Sequence, residues 1–115
     1  VHVPRRPYTR ALPGIPTIRV FEAMACGIPL VSAPWDDSEG LFSPGADYLV
    51  ARDGAEMRRH LHDVLNDNAL SESLVLHAFR TIHERHTCGH RVKELLAFVR
   101  ELDSAPATLA HSVAV

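Results

Sequence analysis

The sequence predicts an α/β fold: part of a parallel sheet, closed by C-terminal helices. Three observations carry this. A helix-like stretch over residues 17–26 meets Gly27 and passes directly into 28–33, an almost wholly apolar run. A run of that kind reads as a strand buried on both faces, as in parallel sheets. A second short apolar run at 48–51 and three further helical stretches follow, and strands joined through helices define the α/β class. Two clear strands fall short of the about five to six of an ordinary sheet. The sheet is therefore expected to continue in sequence outside these residues, so the chain reads as a fragment.

The elements follow in order. Residues 1–3 have the character of a strand's tail. Pro4, Pro7, Pro13 and Pro16 crowd the first sixteen residues, which favours a loop over any long element there. Thr17, just after Pro16, is placed to N-cap the first helix, and Gly27 to end it. Val20, Phe21 and Met24 fall at helical spacing on a core face, while Arg19, Glu22 and Cys26 fall on another. Pro34 ends the strand, and 34–46 is rich in turn formers. Asp53 and Glu56 have the D-x-x-E spacing of a capping box, with Met57, Leu61, Val64 and Leu65 as the apolar stripe behind it. A helix over 69–85 carries Leu70, Leu74, Ala78 and Ile82 on one side. A break is expected near Gly89. The last helix, 90–103, carries Val92, Leu95, Leu96, Val99 and Leu102 inward. Residues 104–115 are small and weakly patterned and are expected to be disordered.

Composition sets the limits. The chain has 115 residues, room for one small domain. Twelve basic residues against fourteen acidic ones give a net charge of −2, which argues against a broad basic surface for nucleic acid. No apolar run approaches the ~20 residues of a membrane span. The first ten residues are basic without an apolar core behind them, unlike a signal peptide. Cys26 and Cys88 are the only cysteines. They read as reduced thiols of a cytoplasmic protein. The chain opens on Val1 rather than Met, as a processed, mis-started or partial chain would.

Chemistry concentrates at residues 16–34. The first N–H groups of a helix lack intrahelical partners, and with the positive end of the dipole they suit a diphosphate. Thr17 and Ile18 stand at that start. Arg19 adds a cationic fork that can take phosphate oxygens bidentately. One turn on, Glu22 offers two acceptor oxygens to the vicinal hydroxyls of a ribose. The plainer alternative is a surface Arg19–Glu22 pair at i, i+3.

The stretch FEAMACGIPLVSAP resembles the helix–strand signature in the C-terminal domain of group 1 glycosyltransferases of the GT-B architecture. The longer PTIRVFEAMACGIPLVSAPWDD and LFSPGADYLVARDGAEM resemble more closely the spore-maturation CgeB-like branch. HERHTCGHRVKELL is similar to that branch's closing helices. The resemblance spans residues 1–103. It implies a Rossmann-like domain that binds the nucleotide of an activated sugar. Thr17, Ile18 and Arg19 would take the phosphates and Glu22 the ribose. The wider group carries an E-x7-E pair. Glu22 matches its second glutamate, whereas Gly14 stands where the first would be. The implied partners are a nucleotide sugar, an unknown acceptor and an N-terminal domain of the same protein. The nucleotide sugar is a substrate, so no cofactor is implied. Without that N-terminal domain the chain is expected to be inactive. No residue is assigned as general base. The rival reading is a degenerate or truncated module with a structural or partner-binding role.

Other clusters read more plainly. His83, His86, Cys88 and His90 lack the paired cysteines of a structural zinc site and are read as solvated helix-end groups, so no metal is expected. Asp36, Asp37 and Glu39 read as an exposed turn anchored by Trp35. Cys26 has no evident base partner and reads as a small packed residue rather than a nucleophile. Arg58, Arg59 and His60 read as a wet helix face.

Overall fold

The computed structural model describes residues 1–104, and the expected disordered tail lies, from residue 105 on, outside them. The described chain forms two units that divide after Arg85. In the first, the helices are α1 (Arg6–Ala11), α2 (Ile18–Ala25), α3 (Gly54–Asn66) and α4 (Asn68–Arg85), with strands β1 (Val31–Ser32) and β2 (Leu49–Val50) between α2 and α3. The second contains α5 (Cys88–Ser104).

The strands β1 and β2 pair in parallel, Val31 opposite Leu49 and Ser32 opposite Val50. His2 bridges Ser32, also in parallel. Its N–H donates to Val31 O and its carbonyl accepts from Ala33 N, both at 2.9 Å. The opposite edge of β1 receives Leu49 N–H on Leu30 O and Ala51 N–H on Ser32 O. β1 is thus the middle of three parallel segments, and the expected strand tail at residues 1–3 is present as the bridge at His2.

Two sequence expectations change here. The proline-rich opening is not all loop, because α1 forms within it. Pro7 sits in the first turn, where its missing N–H costs no helix bond, and the helix stops at Ala11, two residues before Pro13. The first strand is shorter than 28–33. Cys26 caps α2, and Gly27 (φ 69°) turns into the left-handed region. Gly27 N–H then bonds Met24 O and Ile28 N–H bonds Ala23 O, the paired closure of a Schellman motif. Ile28 is spent on ending the helix and is 54% exposed, so the buried run begins only at Leu30.

Val20 and Met24, four residues apart on α2, are fully buried with Leu30, Phe42, Tyr48, Ala78 and Ile82. Phe21 adds an edge-to-face contact with Phe42, ring centroids 5.1 Å apart. Helix α4 packs on both α2 and α3. Its Leu74, Ala78 and Ile82 are buried as expected, and Leu70 is half-buried. Buried Asp47 ties the loop before β2 to this helix. Its carboxylate accepts from Thr81 Oγ1 at 2.9 Å and from Ser43 N–H at 2.8 Å. The D-x-x-E box opens α3. Asp53 Oδ1 accepts from Glu56 N–H at 2.8 Å, and Glu56 Oε2 accepts from Arg52 N–H at 2.7 Å.

Three further expectations fail. Leu65 leaves the α3 stripe and is exposed, because it stands in the last turn, one residue from the helix end. His60 is not on a wet face. It is half-buried and its Nε2 lies 3.1 Å from Val50 O, while Arg58 and Arg59 are exposed. Finally, the break expected near Gly89 is present at residues 86–87, but the apolar face of the helix after it, α5, is not covered. Its Val92, Leu95, Leu96, Val99 and Leu102 are all exposed rather than inward. Thr87 and His90 fix its start, with Thr87 Oγ1 2.7 Å from His90 Nδ1.

A candidate donor-nucleotide site at the start of helix α2

Parallel sheets bind ligands at the carboxyl ends of their strands, where helix N-termini gather. Here Pro4 follows the His2 segment and Pro34, Trp35 and Asp36 follow β1, and these residues line one cleft together with Gly14, Pro16 and Thr17. A second, larger cleft of about 940 Å³ adjoins it and is lined by Thr17, Ile18 and Arg19, among others. That size falls within the about 300–1,000 Å³ typical of small-molecule sites. His2 and Thr17 border both. The start of α2 and the ends of the parallel segments therefore open on the same space.

Thr17 is the N-cap residue of α2, with extended backbone (φ −76°, ψ 153°), but its side chain caps nothing. Its hydroxyl Oγ1 lies instead 2.9 Å from His2 Nε2. His2 Nδ1 is in turn 2.9 Å from Ser32 Oγ, and Ser32 Oγ donates to Ala33 O at 2.8 Å. A serine hydroxyl has one proton. The arrangement in which Ser32 gives its proton to Ala33 O has Nδ1 of His2 donating to Ser32 Oγ. Neutral His2 then presents a bare Nε2, which accepts the Thr17 hydroxyl proton. Burial pushes the His2 pKa below its ordinary 6.5, and the Arg19 guanidinium lowers it further.

Of the residues expected to bind nucleotide, Thr17, Ile18 and Arg19 share the larger cleft. Glu22 lies one turn further along α2 and outside the lining of both clefts. From Ile18 to Glu22 the axial rise is about 6 Å at ~1.5 Å per residue. Arg19 and Glu22 are both exposed, and among the described residues they form no ion pair with each other. The surface-pair alternative is therefore not realised.

Gly14, where the first glutamate of the E-x7-E pair would stand, has φ 83°. A Cβ added there would come 2.6 Å from Ser38 Oγ and 3.2 Å from Asp36 O. The left-handed backbone and the Asp36 carbonyl thus fix this position as glycine, and no carboxylate reaches the cleft from it.

Sequence reasoning missed His2 and Ser32. The alternation of Val1, His2 and Val3 has the period of a strand but points the wrong way, since the two valines are exposed and His2 is buried. Asp37, read from the sequence as part of a turn, accepts from Leu41 and Phe42 N–H at 2.9 Å each and so shapes that turn. Cys26 is exposed rather than packed. His83 packs against Phe79 with the rings tilted, centroids 4.3 Å apart. Among the described residues no three His, Cys, Asp or Glu side chains gather to hold a metal ion, and no helix is long and apolar enough to cross a membrane.

No curated protein and no solved structure matches the chain. The sequence profile of the glycosyl transferase-like family matches residues 1–97, which takes in both clefts, the whole of α2 and the parallel strands, and the chain belongs to that family.

Proposed function

We propose that this chain is the donor-nucleotide part of a Rossmann-like, GT-B-type C-terminal domain. Among such proteins it resembles the CgeB-like branch. In the intact, cytoplasmic enzyme it would hold the nucleotide of an activated sugar while a glycosyl group passes to an acceptor on the N-terminal domain. One observation supports this above the others. The N-cap residue of α2 does not cap its helix, and the uncapped end opens at the carboxyl ends of the parallel segments.

The roles follow from the chemistry. The first N–H groups of α2, around Ile18 and Arg19, donate to the diphosphate, and the Arg19 guanidinium adds a charge-assisted fork. The carboxylate of Glu22, one turn on, accepts from the ribose hydroxyls. Transfer then depends mainly on positioning and on stabilising the departing diphosphate. With Gly14 in place of a carboxylate, this half supplies binding and electrostatic stabilisation and no general base. That same absence favours the second reading, a module that binds the nucleotide without transferring sugar.

Titration calorimetry with UDP, ADP and GDP tests the assignment. Glu22→Gln keeps the shape but loses charge-assisted bonds of about 1.5–3 kcal/mol. Affinity for the preferred nucleotide should fall roughly ten- to a hundredfold, with the melting temperature unchanged because Glu22 is exposed. Unchanged affinity together with a large drop in melting temperature would make Glu22 structural and end the assignment. Sugar transfer by the intact protein separates the enzyme from the binding module.

A further inference from the structure

We propose that His2 is a proton-linked positioning residue that decides whether Thr17 can donate a hydrogen bond to an anion at the start of α2. The proposal rests on the donor-nucleotide reading above and goes beyond it by assigning a regulation to that site.

The geometry carries the argument. His2 is buried, and both its ring nitrogens are engaged at 2.9 Å. Because Ser32 donates to Ala33 O, the Nδ1–H bond to Ser32 persists in either charge state. Only Nε2 changes. In neutral His2 it accepts the Thr17 proton, so Thr17 Oγ1 shows the cleft only lone pairs, which repel phosphate oxygens. When a proton from solvent occupies Nε2, the same 2.9 Å contact reverses direction. Imidazolium N–H donates to Thr17 Oγ1, and the hydroxyl proton is released to point into the cleft. Thr17 thereby changes from acceptor to donor without moving.

The charged side chains that share its clefts are Arg5 and Arg19 on the larger one and Asp36 on the smaller. The cations oppose protonation and Asp36 favours it. A bound diphosphate would offset the cations. Proton and anion therefore bind cooperatively, and reciprocity requires each to raise the affinity for the other by the same factor.

The test compares the pH dependence of UDP binding between pH 5.5 and 7.5 in the wild type, His2→Gln and Thr17→Val. UDP's own ionisation is common to all three and cancels in the ratios. The wild type should gain affinity relative to His2→Gln by about tenfold at the acid end, the scale of one charge-assisted hydrogen bond. Thr17→Val keeps the imidazolium charge but loses the hydroxyl, and should lose most of that gain. In the wild type, the His2 ring resonances should titrate at higher pH with UDP bound, which needs no variant to fold. Parallel profiles for wild type and His2→Gln, or an unmoved His2 titration, would overturn the proton link while leaving the nucleotide site intact. A full gain retained in Thr17→Val would overturn the relay and leave only attraction through space. Absence of UDP, ADP and GDP binding at every pH would overturn the site itself and this inference with it.

Discussion

Helix α3 begins with Asp53 capping Glu56 N–H and Glu56 reaching back to Arg52 N–H. Helix α2 begins with another residue of the capping class, Thr17, whose hydroxyl is drawn off to His2. Both starts have the sequence of a capped helix, yet only one is capped. At α3 the side chains satisfy the helix end and stabilise the fold. At α2 a buried histidine withholds the cap, and the end is left open toward a cleft. The difference separates a helix start that serves folding from one that is available to a ligand.

The approach to Thr17 is the first place to break this arrangement. Gly14→Ala puts a Cβ into a left-handed backbone and 2.6 Å from Ser38 Oγ. The serine can turn away, but Asp36 O at 3.2 Å belongs to the backbone and must shift. A loss of about 1–3 kcal/mol is expected in denaturant unfolding. An unchanged midpoint would mean that the turn is not held as tightly as its contacts imply.

The caps themselves give the direct contrast. Asp53→Ala should cost about 1 kcal/mol, within the usual 0.5–2 for a lost N-cap, and leave nucleotide binding alone. Thr17→Val removes no cap, so its capping loss should be near zero. What it removes is the bond to His2, and its main effect should fall on anion binding. Equal destabilisation by the two substitutions, with no binding change in either, would make α2 an ordinary helix start.

The sequence displayed the α3 start because all its partners lie within four residues. The same holds for Gly27 bonding Met24 O at the end of α2, while Leu74, Ala78 and Ile82 were legible from their spacing along α4. His2 was hidden because its partners, Thr17 and Ser32, are 15 and 30 residues away, and only the pairing of His2 with β1 brings them together. Ile28 was misassigned to the strand because hydrophobicity does not reveal that its N–H is committed to Ala23 O. On α5 the apolar spacing correctly marked a helix, but periodicity states which residues share a face and not whether anything covers it. Of the candidate site, the chemistry of the sequence pointed to residues on α2, and the structure places Thr17, Ile18 and Arg19 on one cleft. Its limits, Glu22 outside the cleft lining and Gly14 locked as glycine, needed coordinates.

The smallest expected effect concerns stability against pH. His2 is buried in its neutral form, and burial lowers its pKa below the ordinary 6.5. Between those two values the unfolded chain binds more protons than the folded one, so stability rises with pH there. The contribution of neutral His2 is fully present above about 6.5. It is lost as pH falls from there through the folded value, and is constant below. Melting curves of the wild type and His2→Gln should therefore converge in slope above that point and part below it, with the wild type losing more. Taking the difference removes the other histidines, which both proteins share. The capped start at α3 supplies the control, since Asp53→Ala leaves His2 in place and its pH profile over this range should run parallel to the wild type. If the profile of His2→Gln ran parallel as well, the ring would titrate alike in both states, and the withheld cap at Thr17 would need another cause.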